Sequence, residues 1–248
     1  MFTLSNARNF AVQFSIASAA MLASVVFASA QVCNPTPPSP YTATAETVVC
    51  SNGTYNGKIG ALEAAGLGSP TTPPLSADQT LYSNSNVTVN AGSVINAGTS
   101  SAISLYNTAT INIYGTVQNS AVNASTGAYN TGGNTVEVNA GSLIHVFSGG
   151  KITADGSQGS AEAINFQGYA AQSNIYGRNT LIIDADGVVQ STANAKALWN
   201  QNGAALTIDN SGILASQNRN ENNQIVVLGG NNTGGVNFYN RQGAATYG

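Results

Sequence analysis

The chain has 248 residues, of which 7% are charged and 42% hydrophobic, with 27 glycines and a net charge of −3. Seven basic residues, scattered singly along an acidic sequence, leave no footprint for nucleic acid, and the hydrophobic content is too high for a disordered chain. So little charge, against about a quarter in ordinary soluble domains, also sets the sequence apart from a typical enzyme.

Residues 1–30 read as an export signal. Arg8 supplies a thin positive start, residues 16–27 are an apolar run, and Ala28, Ser29 and Ala30 form a small-residue cleavage pattern that places the mature start at Gln31. The run is shorter than the roughly 20 residues a membrane span needs. Gln31 and Val32, which precede Cys33, lack the small residues that lipoprotein processing prefers. In an oxidising compartment the only two cysteines, Cys33 and Cys50, are expected to pair. A loop of that length is stabilised by roughly 3 kcal/mol in the chain-entropy picture. Zinc is a poor rival, because His145 is the only histidine. Residues 31–83 hold all seven prolines, which argues for irregular structure or a poorly ordered lead-in. From residue 84 to the end there is no proline, so the domain boundary falls there.

Residues 84–248 carry a repeat in which a short alternating strand meets a glycine turn and resumes with aliphatic residues. The copies are Val87–Val94, Ile111–Val117, Val136–Leu143, Leu181–Val188 and Leu206–Ile213, with a degraded sixth at Val236–Gly243. Their turn glycines, Gly92, Gly115, Gly141, Gly187 and Gly212, are 23, 26, 46 and 25 residues apart, and 46 reads as two periods of 23. A second motif interleaves at Ala102–Asn107, Ala163–Phe166, Ala197–Asn200 and Ile225–Leu228. One such period exposes an apolar face that only stacking can cover. Parallel pairing needs long return connections, and with no helix-period segment between the strands these must run around a coil. Asn90 with Asn139, and Asn107 with Asn200, are expected to stack at equivalent turns. An antiparallel sandwich would also give short strands and frequent turns, but recurrence of similar residues favours an all-β chain folded as a parallel β-helix.

In this region the sequence resembles the passenger of a bacterial autotransporter, the type V secretion family, as in Leu206–Ile213 and Ala102–Leu105 behind a signal peptide. The resemblance implies a right-handed parallel β-helix, exported across the outer membrane of a Gram-negative bacterium and displayed at the cell surface or shed. Adhesion, aggregation and virulence are the implied roles, toward a host or bacterial ligand that the sequence does not name. The family's export barrel is the implied partner. Nothing in the 248 residues resembles it, so the chain is expected to be part of a longer protein or a truncated product, with a barrel-less secreted β-helix as the alternative.

The chemistry-bearing residues give no constellation. Asp184 and Asp186 are the only close acidic pair, and turn-capping explains both. His145 is expected to point outward from a repeat strand. A Gly-Asp-Ser-Gly protease segment is missing, and Gly149–Asp155 does not match the calcium-binding nonapeptide. The expectation is therefore no catalytic residue, no metal and no cofactor in a non-enzymatic protein. The alternative is a polysaccharide lyase or hydrolase, which would need Asp184, Asp186, Lys151 and Arg178 to line one groove. Tyr106, Tyr114, Phe166, Tyr176, Trp199, Phe238 and Tyr239 are expected to pack along ladders or to stack on sugars. An ice-binding array is disfavoured because the repeats do not keep threonine in register.

Overall fold

Strictly alternating aliphatic residues give the chain strands with one greasy face, and the computed structural model shows how that face is covered. It describes residues 32–34, 47–57, 59–60, 84–98, 101–119, 134–155, 162–192, 196–216, 225–228 and 234–247. A first strand, β1 (Cys33–Asn34), precedes a series of coils. Coil 1 holds β2 (Thr47–Cys50), β3 (Gly53–Tyr55) and β4 (Ile59–Gly60), and coil 2 holds β5 (Asn86–Val89), β6 (Ser93–Asn96) and β7 (Ile103–Leu105). Coil 3 holds β8 (Thr110–Ile113), β9 (Thr116–Gln118) and β10 (Val136–Val138). Coil 4 holds β11 (Leu143–Val146), β12 (Lys151–Ala154) and β13 (Ile164–Phe166), followed by the helix α1 (Ala170–Tyr176). Coil 5 holds β14 (Asn179–Ile183), β15 (Val188–Ser191) and β16 (Leu198–Asn200). Coil 6 holds β17 (Leu206–Asn210), β18 (Ile213–Ser216) and β19 (Val226–Leu228), and coil 7 holds β20 (Val236–Asn240) and β21 (Ala245–Tyr247).

Equivalent strands of successive coils pair in parallel and form three sheets: sheet A from β2 to β20, sheet B from β3 to β21, and sheet C from β4 to β19. The chain is a right-handed parallel β-helix. Within it, Val87, Ile111, Ile144, Leu181 and Ile208 form one inward row of sheet A, all at most 1% exposed. Ile95, Val117, Ile152, Val189 and Leu214 do the same in sheet B, and Ile103, Val136, Ile164 and Leu198 in sheet C. β-Branched side chains suit this interior because their stiff χ1 angles fit a pleated surface. Each such side chain, once covered, contributes roughly 1.5–3 kcal/mol.

Several expectations need correction. Val136–Gly141 resembles the first motif, yet β10 pairs with β7 and β13 in sheet C, so it belongs to the second. Gly141 therefore lies at the corner from sheet C to sheet A, unlike Gly92, Gly115, Gly187 and Gly212 at the corner from A to B. The missing member of that corner set is Gly150, and the 46-residue interval is not two periods. The equivalent inward residues Val48, Val87, Ile111, Ile144, Leu181, Ile208 and Phe238 are 39, 24, 33, 37, 27 and 30 residues apart. The stack also begins before residue 84, because 47–60 already form a complete coil. A helix does occur between strands: α1 sits in the connection from sheet C to sheet A, and buried Gln172 accepts a hydrogen bond from the Tyr169 backbone at 2.7 Å. At seven residues it is too short for its periodicity to register.

The A-to-B corner explains its own glycines. It is only two to four residues long in every coil, so the backbone of each coil presses on the one beneath. A Cβ on Gly115 would lie 2.4 Å from the carbonyl oxygen of Asn90, and one on Gly150 2.1 Å from that of Ile113. Glycine is needed at those two positions for close approach along the stack, whereas Gly92 is favoured by its φ of 80°. The expected asparagine pairs do not form: Asn90 aligns with Ser51 and Tyr114, and Asn107 falls two rows from Asn200. Corner amides instead bridge coils through the backbone. Asn107 accepts from the Ala140 N–H at 3.2 Å, Asn179 from Ser142 at 3.0 Å, and Asn119 from Asp155 at 3.1 Å.

Candidate interaction face

The outer face of sheet A carries two rows of side chains, and a third row follows at the corner. Thr47, Asn86, Thr110, Leu143, Thr180, Thr207 and Asn237 form the first. Threonine recurs at four of these seven positions, interrupted by Asn86, Leu143 and Asn237, so the row is not a regular threonine array. Val49, Thr88, Asn112, His145, Ile182, Asp209 and Tyr239 form the second. Strand spacing sets the step along each row at about 4.8 Å. At the corner, Asn90, Tyr114, Phe147 and Asp184 follow β5, β8, β11 and β14 in consecutive coils.

The middle of this strip is a pile of rings. Tyr114 and Phe147 stack with centroids 4.0 Å apart and planes 14° from parallel. His145 stacks on Phe147 at 3.6 Å, and its Nε2 lies 3.0 Å from Asp184 Oδ1 in the next coil. Further along, the Arg241 guanidinium donates to both Asp209 carboxylate oxygens at 2.6 Å and lies 5.1 Å from the Tyr239 ring centre. That hydrogen-bonded guanidinium holds the Asp209 carboxyl below its usual range.

Sheet C presents a different outer face. Ser104, Glu137 and Asn165 form its row and are nearly fully buried. Glu137 accepts from Ser104 Oγ at 3.0 Å and from Asn134 Nδ2 at 2.6 Å. Asn134 in turn accepts from the Glu162 N–H at 3.0 Å. Glu162 is 0% exposed, with Lys196 Nζ 3.7 Å from Oε1, an ion-pair distance too long for a hydrogen bond. Burial raises the Glu162 pKa, with its own backbone N–H and Lys196 opposing the shift. Lys196 also lies 5.1 Å from the Trp199 ring centre.

Of the residues singled out in the sequence, Cys33 and Cys50 are disulfide-bonded, while Ala30 and Gln31 lie outside the described residues. Asp184 is taken up by His145, and Asp186 is exposed at the corner with φ 64°. Arg178 enters β14 at the end opposite Asp184, about 20 Å away along an extended strand. It spends its donors on the carbonyls of Leu206 at 2.7 Å and Gly235 at 3.1 Å. Those two side chains therefore do not share a groove. Tyr106 and Phe166 are buried, Tyr114, Trp199 and Tyr239 face outward, and Phe238 points inward in the last coil. Phe147, Glu137 and Glu162 were not anticipated. Phe147 follows a strand from the same position as Tyr114, which a correct register would have revealed. Among the described residues, no three His, Cys, Asp or Glu side chains are placed to hold a metal ion.

Comparison with protein families, with curated proteins and with solved structures finds no match for this chain.

Proposed function

We propose that the chain is an exported, autotransporter-type passenger, displayed at or shed from the surface of a Gram-negative cell, where it acts by contact and not by catalysis. The observation that supports this most is the outer face of sheet A, which runs through all seven coils with threonine, asparagine and aromatic side chains in rows. A stacked backbone fixes these groups at a regular step, so little backbone ordering remains when a partner arrives. Many modest contacts along such a face suit adhesion or aggregation toward a host or bacterial surface. Export then relies on an outer-membrane barrel supplied outside these 248 residues.

The test is display of the full chain on a heterologous autotransporter barrel, followed by cell-aggregation and adhesion assays. Displayed chain should clump or attach cells, and Asn112→Lys with Thr180→Lys should suppress this without changing the strand signal in circular dichroism. Folded, displayed chain that leaves cells dispersed and non-adherent would refute the proposal.

A further inference from the structure

The ring pile on sheet A is closed at one end and open at the other. Tyr114 and Phe147 occupy neighbouring rungs, because Ile113 and Val146 before them are paired. Their centroid separation of 4.0 Å at 14° leaves little offset, so the ring normals run along the stack of coils. His145 leans on Phe147 at 3.6 Å and 23°, and reaches forward to Asp184 of the following coil. Two nearly parallel partners that close must lie on opposite faces of Phe147. The order along the stack is therefore Tyr114, Phe147, His145, Asp184.

The other face of Tyr114 looks back over coils 1 and 2, where the same corner carries only small side chains. Ser51 and Asn90 occupy the row, and exposed Ala91 and Gly92 complete the turn. Asn90 Nδ2 donates to Ser51 Oγ at 2.8 Å, which holds the amide flat along the row. The result is a step: Tyr114, 39% exposed, stands as a wall above a low polar floor. Thr88, beside Asn90, and Asn112, beside Tyr114, point out of the same sheet and are half-exposed.

We propose that this step is a shelf for one ring of a neutral glycan. A pyranose has an apolar face of C–H groups that lies against an aromatic ring, and a rim of hydroxyls that both donate and accept. Tyr114 offers the ring, and Thr88, Asn90 and Asn112 offer uncharged donors and acceptors at its foot. A few placed polar groups beside an aromatic surface are what fix orientation in small-ligand sites. Among the described residues of these rows, no charged side chain stands on the open side of the wall: Asp184 lies behind the pile, joined to His145. A neutral sugar therefore fits better than an acidic one. The shelf deepens the contact-surface reading by naming a ligand class for one part of the face.

The test is calorimetric titration of the full chain with cellohexaose, laminarihexaose, maltohexaose and chitohexaose. At least one should bind saturably. Tyr114→Ala should weaken it by at least about tenfold, as expected for an aromatic anchor. Tyr114→Phe, which keeps the ring, should stay within about twofold, and Trp199→Ala on sheet C should change nothing. Asn112→Ala should weaken binding as well, which keeps the test decisive if Tyr114→Ala does not fold. The shelf is refuted if no hexaose binds up to about 10 mM, or if binding ignores Tyr114 and Asn112. Cells that still adhere through chain blind to every hexaose would overturn the shelf alone, whereas hexaose binding by chain that leaves cells dispersed would overturn the adhesive role alone.

Discussion

The two ends of the described stack carry the same inward pattern and fare differently. At the N-terminal end, β1 runs antiparallel along β2, and the Cys33–Cys50 disulfide ties the two strands together. Val48 in that first coil is 2% exposed. At the C-terminal end, Phe238 occupies the same inward row and is 45% exposed, lining an open apolar hollow with Ile208, Val226 and Val236. Position within the row does not bury a side chain; a neighbour on each side does. A β-helix therefore draws its stability from interior coils, and each end depends on whatever covers it.

The largest test of that contrast is Ile144→Ala against Phe238→Ala. The first opens a cavity between two covered neighbours and should cost about 2–5 kcal/mol in urea unfolding. The second removes a ring that is already half in water and should cost less than about 1 kcal/mol. Equal losses would mean that the last coil is as well covered as the middle. Next comes the closed end: replacing Cys33 and Cys50 together by serine should cost about 2–5 kcal/mol. Hydrogen exchange should show the loss first in β2 and β5. A loss spread evenly over all coils would mean that the disulfide does not act as a local clamp.

The smallest effect contrasts the exposed face of sheet A with the covered face of sheet C. Burial raises the Glu162 pKa above the ordinary carboxylate range. The folded state therefore holds a proton that the unfolded chain releases, and stability falls as pH rises from the ordinary carboxylate range to the raised value. Glu162→Gln should flatten this slope and leave the variant more stable than the parent chain at neutral pH, measured by urea unfolding at pH 4 and pH 7. Lys196, only partly buried, can turn to solvent in the variant. An unchanged slope would place the acid dependence elsewhere.

Much of the architecture was legible because alternation and a recurring glycine turn are local. Leu206–Ile213 and Ile225–Leu228 announce strands without help from distant residues. What was not legible is which corner a turn occupies, since that depends on the backbone one coil away. Val136–Gly141 and Val87–Gly92 are nearly the same text, yet a Cβ on Gly141 would meet the Tyr176 carbonyl oxygen of coil 4's helix, whereas one on Gly92 would meet only Asn52 Oδ1, at 3.8 Å. Thr47–Cys50 was missed because prolines surround it and its alternation is brief. The face of sheet A followed from the same limit: His145 reads as outward from its own strand, but its partner Asp184 is 39 residues away.

The uneven coil lengths have a practical meaning. Between sheets A and B the link never exceeds four residues, whereas between sheets B and C it ranges from three, before β4, to seventeen, before β10. Closing a longer loop costs only about 0.6 kcal/mol per doubling, and the strands on either side keep their register regardless. A foreign peptide spliced between Gln118 and Val136 would thus ride on a frame whose sheet A it leaves untouched, giving a vaccine or biosensor designer a ready grafting position.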